Sequence, residues 1–397
     1  MSGQQRRMRF GLFLAPFHRV GENPTLALDR DLELITRADR LGFDEAWVGE
    51  HHSFARELIA NPLLFIAAAA QRTRRIKIGS GVTSLPYHHP LMVADDIVQL
   101  DHMTRGRAML GVGPGALTSD AYMMGINPLD QRRRMSESLE AIVALLEADA
   151  PVSRESDWFT LREARLQMAS YSEPYPPIAV ATVNTPSGAQ LAGRLGLGLL
   201  SLTAIEHEAF ERTWAWTEEA AGEAGQTVDR ANWRVTVPIH IAETREQAIR
   251  EVEEGFLRRA YGGDGSGESA AGEQNLGTQG ASIHEPIERG SVIVGSPEDA
   301  ITFVERMVDR SGGFGCLLGL AHEWASTENT HKSLELWARY VMPHFQGQLE
   351  PIVENRDWIE ANLSTVFRRS RGALQKAYSD AGEEMPESIK EKLGLSE

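Results

Sequence analysis

Two imidazoles and a carboxylate stand together in the run Glu45-Ala-Trp-Val-Gly-Glu-His-His52. The run reads as a short buried strand over residues 44–52, with Glu50, His51 and His52 at its C-terminal end. In parallel α/β proteins that end is where chemistry is assembled. The ordinary pKa of an imidazole lies close to neutrality, so His51 there can donate or accept a proton at working pH. Paired histidines at a strand end also serve as metal ligands. However, (β/α)8 metal hydrolases place His-x-His on the first strand; this chain has none there, nor His-Glu-x-x-His, and no metal site is nominated. A buried, hydrogen-bonded core histidine is the plainer reading of His51, and its place at a strand end weighs against that reading.

The other strand ends are equally unusual: Ala15-Pro-Phe17-His18, Thr83-Ser84-Leu-Pro-Tyr87-His88-His89-Pro90, Gly111-Val-Gly113-Pro-Gly115, Asn184-Thr185-Pro-Ser187-Gly188 and His322-Glu-Trp324. Together they suit a flat, partly apolar cofactor with an anionic tail. The glycine turn lacks the Gly-x-Gly-x-x-Gly spacing and follows the fourth strand, so it is a poor dinucleotide loop but allows close approach of a planar ring. Pro186 fits the first turn of a helix, with Asn184 or Thr185 as its cap. The free amides there, with the Thr185 and Ser187 hydroxyls, could cradle a phosphate, although a plain helix cap accounts for the same residues. Phe17, Tyr87 and Trp324 are candidates for an apolar wall. At least one of His88 and His89, before Pro90 at a helix start, is expected to be structural.

These residues need a scaffold that brings eight strand ends to one face. Strand-like runs fall at residues 9–17, 44–52, 76–85 and 107–113, alternating with helical patterns at 26–41, 62–72 and 91–103. That alternation is the βαβ signature of a parallel sheet. A long helix over about 129–148 and an irregular stretch at 151–177 interrupt it. It then resumes with strands at 178–183, 197–203, 234–242 and 315–321. Eight such units predict a closed (β/α)8 TIM barrel over residues 8–345, with insertions at about 115–176 and 262–290, and a C-terminal helical extension at 346–397. An open doubly wound sheet is the alternative. The Gly/Ser-rich 262–290 segment reads as a mobile loop able to act as a lid.

Charge and composition narrow the function classes. A formal net charge of −16 argues against nucleic acid and against an anionic membrane as partners. No apolar run is long enough to span a bilayer, and the run after the N-terminal arginines is too short and strand-like for a signal peptide. The lone Cys316 rules out an internal disulfide and reads as a buried core residue. A soluble, cytoplasmic protein is expected.

Phe13-Leu-Ala-Pro-Phe17, Glu50-His-His52, Ser84-Leu-Pro-Tyr-His-His-Pro90, Leu100-Asp-His-Met-Thr-Arg-Gly-Arg107 and Gly111-Val-Gly-Pro-Gly115 together resemble the bacterial luciferase-like flavin-dependent monooxygenase family, and within it the limonene 1,2-monooxygenase type. The resemblance implies a two-component system, in which a separate NAD(P)H-dependent reductase supplies reduced FMN, or FAD, by diffusion. O2 would add at the flavin C4a, and the resulting (hydro)peroxyflavin would oxygenate a lipophilic small molecule, terpene-like or another secondary metabolite, by epoxidation, hydroxylation or Baeyer–Villiger insertion. It makes His51 the catalytic histidine. It sets Thr83 and Ser84 against the flavin ring, and Thr185, Ser187 and Gly188 at its phosphate. Gly113 stands where luciferases proper carry a reactive cysteine, which loosens any inference to light emission. Helices 62–72 and 91–103 match a homodimer surface. An F420-dependent oxidoreductase of the same fold and a non-catalytic flavin-binding protein are the competing readings.

Overall fold

Strands covered on both faces read as unbroken apolar runs, and such runs recur around a closed sheet in this chain. A computed structural model describes residues 7–15, 18–53, 55–183, 185–202, 207–260 and 282–392. Its strands are β1 (Arg9–Leu14), β2 (Glu45–Val48), β3 (Lys77–Ser80), β4 (Thr83–Ser84), β5 (Ala108–Gly113), β6 (Val152–Glu155), β7 (Thr160–Ala164), β8 (Ile178–Thr182), β9 (Gly198–Ser201), β10 (Trp233–Ile241), β11 (Ile293–Gly295) and β12 (Cys316–Ala321). The parallel order β1-β2-β3-β5-β8-β9-β10-β12 returns to β1, closing an eight-stranded barrel. The short β4 extends the third strand against β5, and β11 pairs with the far end of β10.

Helices α1 (Pro24–Leu41), α2 (Pro62–Arg72), α3 (Pro90–Thr104), α4 (Thr118–Met123) and α5 (Gln131–Glu147) belong to the first half. The second half carries α6 (Pro186–Arg194), α7 (His207–Ala224), α8 (Arg245–Ala260), α9 (His284–Arg289), α10 (Pro297–Ser311), α11 (Thr327–Leu336) and α12 (Met342–Phe345). Their starts follow capping chemistry. Asn23 and Asn61 accept from the first-turn amides of α1 and α2, and Ser296 and Asp299 form a reciprocal capping box on α10. His89 caps α3 by accepting from the Leu91 amide, which makes it the structural member of the His88–His89 pair. The barrel unit ends at Gln346, and a second compact unit, Gly347–Glu397, holds the 31-residue α13 (Glu350–Asp380) and the short α14 (Glu387–Lys392).

The stretch 151–177, expected to be irregular, contains the antiparallel hairpin β6–β7. Most of its side chains face solvent, so it lacks the apolar alternation that would betray a half-buried strand. Of the 262–290 segment expected as a lid, residues 262–281 lie outside the described residues, whereas 284–289 form α9.

The barrel is filled, not hollow. Phe13, Trp47, Met109, Leu200, Leu318 and Leu320 cluster inside it, together with Cys316, whose thiol burial pushes well up from its ordinary pKa. Beneath Trp47 the floor is ionic. Glu45 is fully buried and accepts from Arg9 Nε at 2.8 Å, Arg234 Nε at 2.8 Å and Trp47 Nε1 at 2.9 Å. Burial alone would raise the Glu45 pKa, but the Arg234 and Arg9 guanidiniums win and hold it down to about 2.

Candidate active site

Just beyond β2 the chain leaves the barrel, and His51 points its two ring nitrogens at two carboxylates. Nδ1 donates to Asp120 Oδ2 at 3.2 Å, and Nε2 lies 3.4 Å from Glu57 Oε2. Asp120, buried at the start of α4, is itself fixed, because Oδ1 accepts from the His52 amide at 3.1 Å and from the Ser53 hydroxyl at 2.5 Å. Burial tends to discharge the imidazole, but the bond to Asp120 and the charge of Glu57 outweigh it, so the His51 pKa is raised. The Asp120 carboxyl is correspondingly lowered, the bonds from His51 and Ser53 overcoming the cost of burial.

A second carboxylate knits three segments of the rim together. Glu50 accepts from His88 Nε2, from His52 Nε2 at 3.2 Å and from the Ser84 amide. The loop after β2 is thereby tied to β4 and to the turn leading into α3. Ser84 and Thr83 pair in register with Gly113 and Val112, which sets the third and fourth strand ends side by side. Tyr87 closes this corner. Its ring lies edge-on to His52 at 6.0 Å, and its hydroxyl accepts from Gln131 Nε2 at 3.1 Å. A cleft of about 200 Å³ opens here, with Thr83, Tyr87, His88 and Met92 in its walls.

The next strand end supplies the start of α6. Thr185 occupies the cap position without capping the helix through its side chain; its hydroxyl instead lies 3.3 Å from that of Ser187. Gly188 sits hard against the end of β8, where a Cβ would meet the Ala181 carbonyl oxygen at 2.5 Å. Phe17 and Asn184 lie outside the described residues. Trp324 belongs to a different environment, buried in a cluster with Val252, Phe256 and Val294 and stacked on His322 at 3.7 Å. A larger cleft of about 490 Å³ lies between the ends of β1 and β12, walled by charged residues such as Arg30, Asp31 and Glu323. None of the described nominated residues lines it. Among the described residues no group of three or more His, Cys, Asp or Glu side chains is placed to hold a metal ion.

A family model described as luciferase-like monooxygenase matches residues 8–312. The chain belongs to the luciferase-like monooxygenases. It is 46% identical to limonene 1,2-monooxygenase of Rhodococcus erythropolis over 87% of this chain and 88% of that one. It is 43% identical to 4-hydroxyprotoasukamycin monooxygenase of Streptomyces nodosus subsp. asukaensis, over 89% and 96%. Among solved structures, the oxygenating constituent of 3,6-diketocamphane monooxygenase from Pseudomonas putida, a type II Baeyer–Villiger enzyme in complex with FMN, superposes with a TM-score of 0.70 at 28% identity. That match covers 85% of this chain and 98% of the other. The protein is therefore an enzyme, a flavin-dependent monooxygenase on a (β/α)8 barrel.

Sequence reasoning passed over two residues of this candidate site, Asp120 and Glu57. Asp120 is on a short helix 69 positions from His51, and nothing in its neighbourhood marks it as special. Glu57 carried a faint signal, as an acid within one loop of a nominated histidine. The Leu100–Arg107 motif proves to be scaffold. Arg107 donates to the carbonyls of Ala70 and Ile76, and Asp101 accepts from the Ser172 amide and hydroxyl.

Proposed function

We propose that this chain is the oxygenase component of a two-component system. A separate NAD(P)H-dependent reductase supplies reduced FMN, with FAD as the variant to be tested. The barrel uses it with O2 to oxygenate a lipophilic small molecule, terpene-like or another secondary metabolite. The observation that carries this reading is His51, its two ring nitrogens set against the carboxylates of Asp120 and Glu57 beside the β4–β5 corner.

The residues at that corner fit a flavin. Thr83 Oγ1 is buried without a hydrogen-bond partner among the described residues, as suits a group waiting for the polar edge of a ring. At Gly113 a Cβ would come within 2.6 Å of the Val82 side chain, so this wall is already as close as it can be. Thr83, Ser84 and Gly113 would face the ring. Thr185, Ser187 and Gly188 at the start of α6 would hold the phosphate, where backbone amides and the helix dipole favour an anion. When bound, the reduced flavin supplies the electrons that activate O2.

The remaining work falls to the protein's own side chains. His51 Nε2, on the longer of the ring's two contacts, is the atom from which a proton can be passed to the reacting oxygen. Asp120 fixes the ring through Nδ1. Tyr87, tied to Gln131, walls the cleft and keeps water from the reacting centre. Two relatives named for limonene and for 4-hydroxyprotoasukamycin support oxygenation of a small organic substrate; epoxidation, hydroxylation and Baeyer–Villiger insertion are the outcomes that product analysis distinguishes. A homodimer contact is assigned to α2 and α3, where Leu64, Met92 and Met103 are exposed. The single buried free thiol and the acidic surface suit a cytoplasmic protein.

The test is anaerobic mixing of the protein with reduced FMN, then with reduced FAD, followed by O2 in a stopped-flow spectrometer. The absorbance of oxidised flavin should return far more slowly than for free flavin, and for one of the two flavins only. Return at the free-flavin rate with both would overturn the proposal and direct attention to hydride transfer with F420.

A further inference from the structure

We propose that α13 is a self-association helix, pairing antiparallel with α13 of a second copy of this chain. Ile352, Ile359, Leu363 and Val366 are all exposed and recur at steps of seven, four and three, and Ala373 and Ala377 continue the stripe. That is the 3.5-residue average of a two-helix seam. Trp358 and Leu374 add exposed apolar surface along the same helix.

The charges select the partner. Residues 350–361 carry four acids (Glu350, Glu354, Asp357, Glu360) against one base, Arg356. Residues 362–380 carry four bases (Arg368, Arg369, Arg371, Lys376) against one acid, Asp380. The helix dipole rewards such a bias only in the first and last turns, whereas Asp357, Glu360, Arg368, Arg369 and Arg371 stand well inside. Within the helix Arg356 pairs with Asp357 and Lys376 with Asp380, but Arg368, Arg369 and Arg371 form no ion pair among the described residues. A parallel pair would set like charge on like. An antiparallel pair opposes the acidic half of each copy to the basic half of the other, with Leu363 of one copy meeting Val366 of its partner near the axis. An anionic bilayer would attract one half of the helix and repel the other.

The experiment uses the full chain carrying a nitroxide at Ser364→Cys or at Asn355→Cys; Cys316 is fully buried and stays unlabelled. Antiparallel pairing predicts a short intermolecular distance at 364, near the helix spacing of about 10 Å lengthened by the labels. At 355 it predicts about 30 Å, from a rise of 1.5 Å per residue on either side of the axis. Converting Arg368, Arg369 and Arg371 to Glu should abolish the short distance. Mixing that variant with Glu354→Lys/Asp357→Lys/Glu360→Lys chains should restore it. Equal short distances at both positions would mean a parallel pair and overturn the proposal. So would the absence of any intermolecular distance, whether because α13 lies on its own barrel or because it pairs only after anionic vesicles are added.

Discussion

Glu45 and Glu50 belong to the same short strand and its exit, one as its first residue and one just past its end, and they have opposite surroundings. Glu45, on the barrel floor, is ringed by Arg9, Arg234 and the Trp47 indole, partners that do not titrate at any working pH. Glu50, on the rim, is ringed by His52, His88 and one backbone amide, and its neighbour His51 faces Asp120 and Glu57. Both arrangements satisfy buried acids. Only the second can change its proton count near neutral pH, so the floor serves as structure while the rim is equipped for chemistry.

The sharpest way to break this contrast is at the floor. Glu45→Gln leaves the buried Arg234 guanidinium and the partly buried Arg9 against a neutral amide, and removing one partner of a buried ion pair costs about 3–5 kcal/mol. Urea unfolding should show that loss, while the folded fraction keeps its flavin affinity and the pH profile of its turnover. A floor substitution that moved the profile would join the two ends functionally and dissolve the distinction.

At the rim the expectation is reversed. His51→Ala should lower coupled product formation by about 10²-fold or more, the usual scale for losing a positioned proton donor. Unfolding should shift as well, because the His51 side chain is largely buried and its loss leaves the buried Asp120 carboxylate one partner short, so turnover is compared on the folded fraction. Asp120→Asn should act more gently, lowering turnover by about 10-fold through misorientation of the ring. Its signature is the pH profile. Without the Asp120 charge the His51 pKa falls, Glu57 and Glu50 alone remaining to oppose burial, so the limb on which activity declines with rising pH moves to lower pH. An unshifted limb would mean that His51 is not the group being read.

The same contrast explains what was legible in the sequence. The eight barrel strands were, because double-sided burial demands runs such as Leu-Leu-Gly-Leu in β12 that little else produces. Rim residues on those strands were legible too, since a strand end fixes its neighbours in space: Thr83, Ser84 and Gly113 adjoin as expected. The Glu45–Arg9–Arg234 floor was not, although each member sits near the start of its strand, because a lone charge in a short strand reads as an outward residue until the barrel closes around it. Asp120 was hidden for a related reason: its meeting with His51 depends on where two loops end, which local pattern does not encode. The exposed β6–β7 hairpin escaped because neither of its strands carries a continuous apolar face.

The smallest effect is the most direct comparison of the two carboxylate clusters, and it needs only stability against pH. Glu45 is depressed on folding, so its contribution is complete above the ordinary carboxylate range and fades only as pH falls toward about 2. His88 runs the other way. Its pKa is raised, the bond and charge of Glu50 overcoming burial, so its contribution is complete below the unfolded value near 6.5 and is lost as pH rises through the folded one. The stability difference between wild type and His88→Gln should therefore shrink between mildly acidic and mildly alkaline pH, starting from about 1 kcal/mol because the ring is one-third exposed. The difference between wild type and Glu45→Gln should stay flat over the same range. Two flat lines would make the Glu50 cluster as inert as the floor. A slope for Glu45→Gln would mean that the floor, too, exchanges protons with the histidines above it.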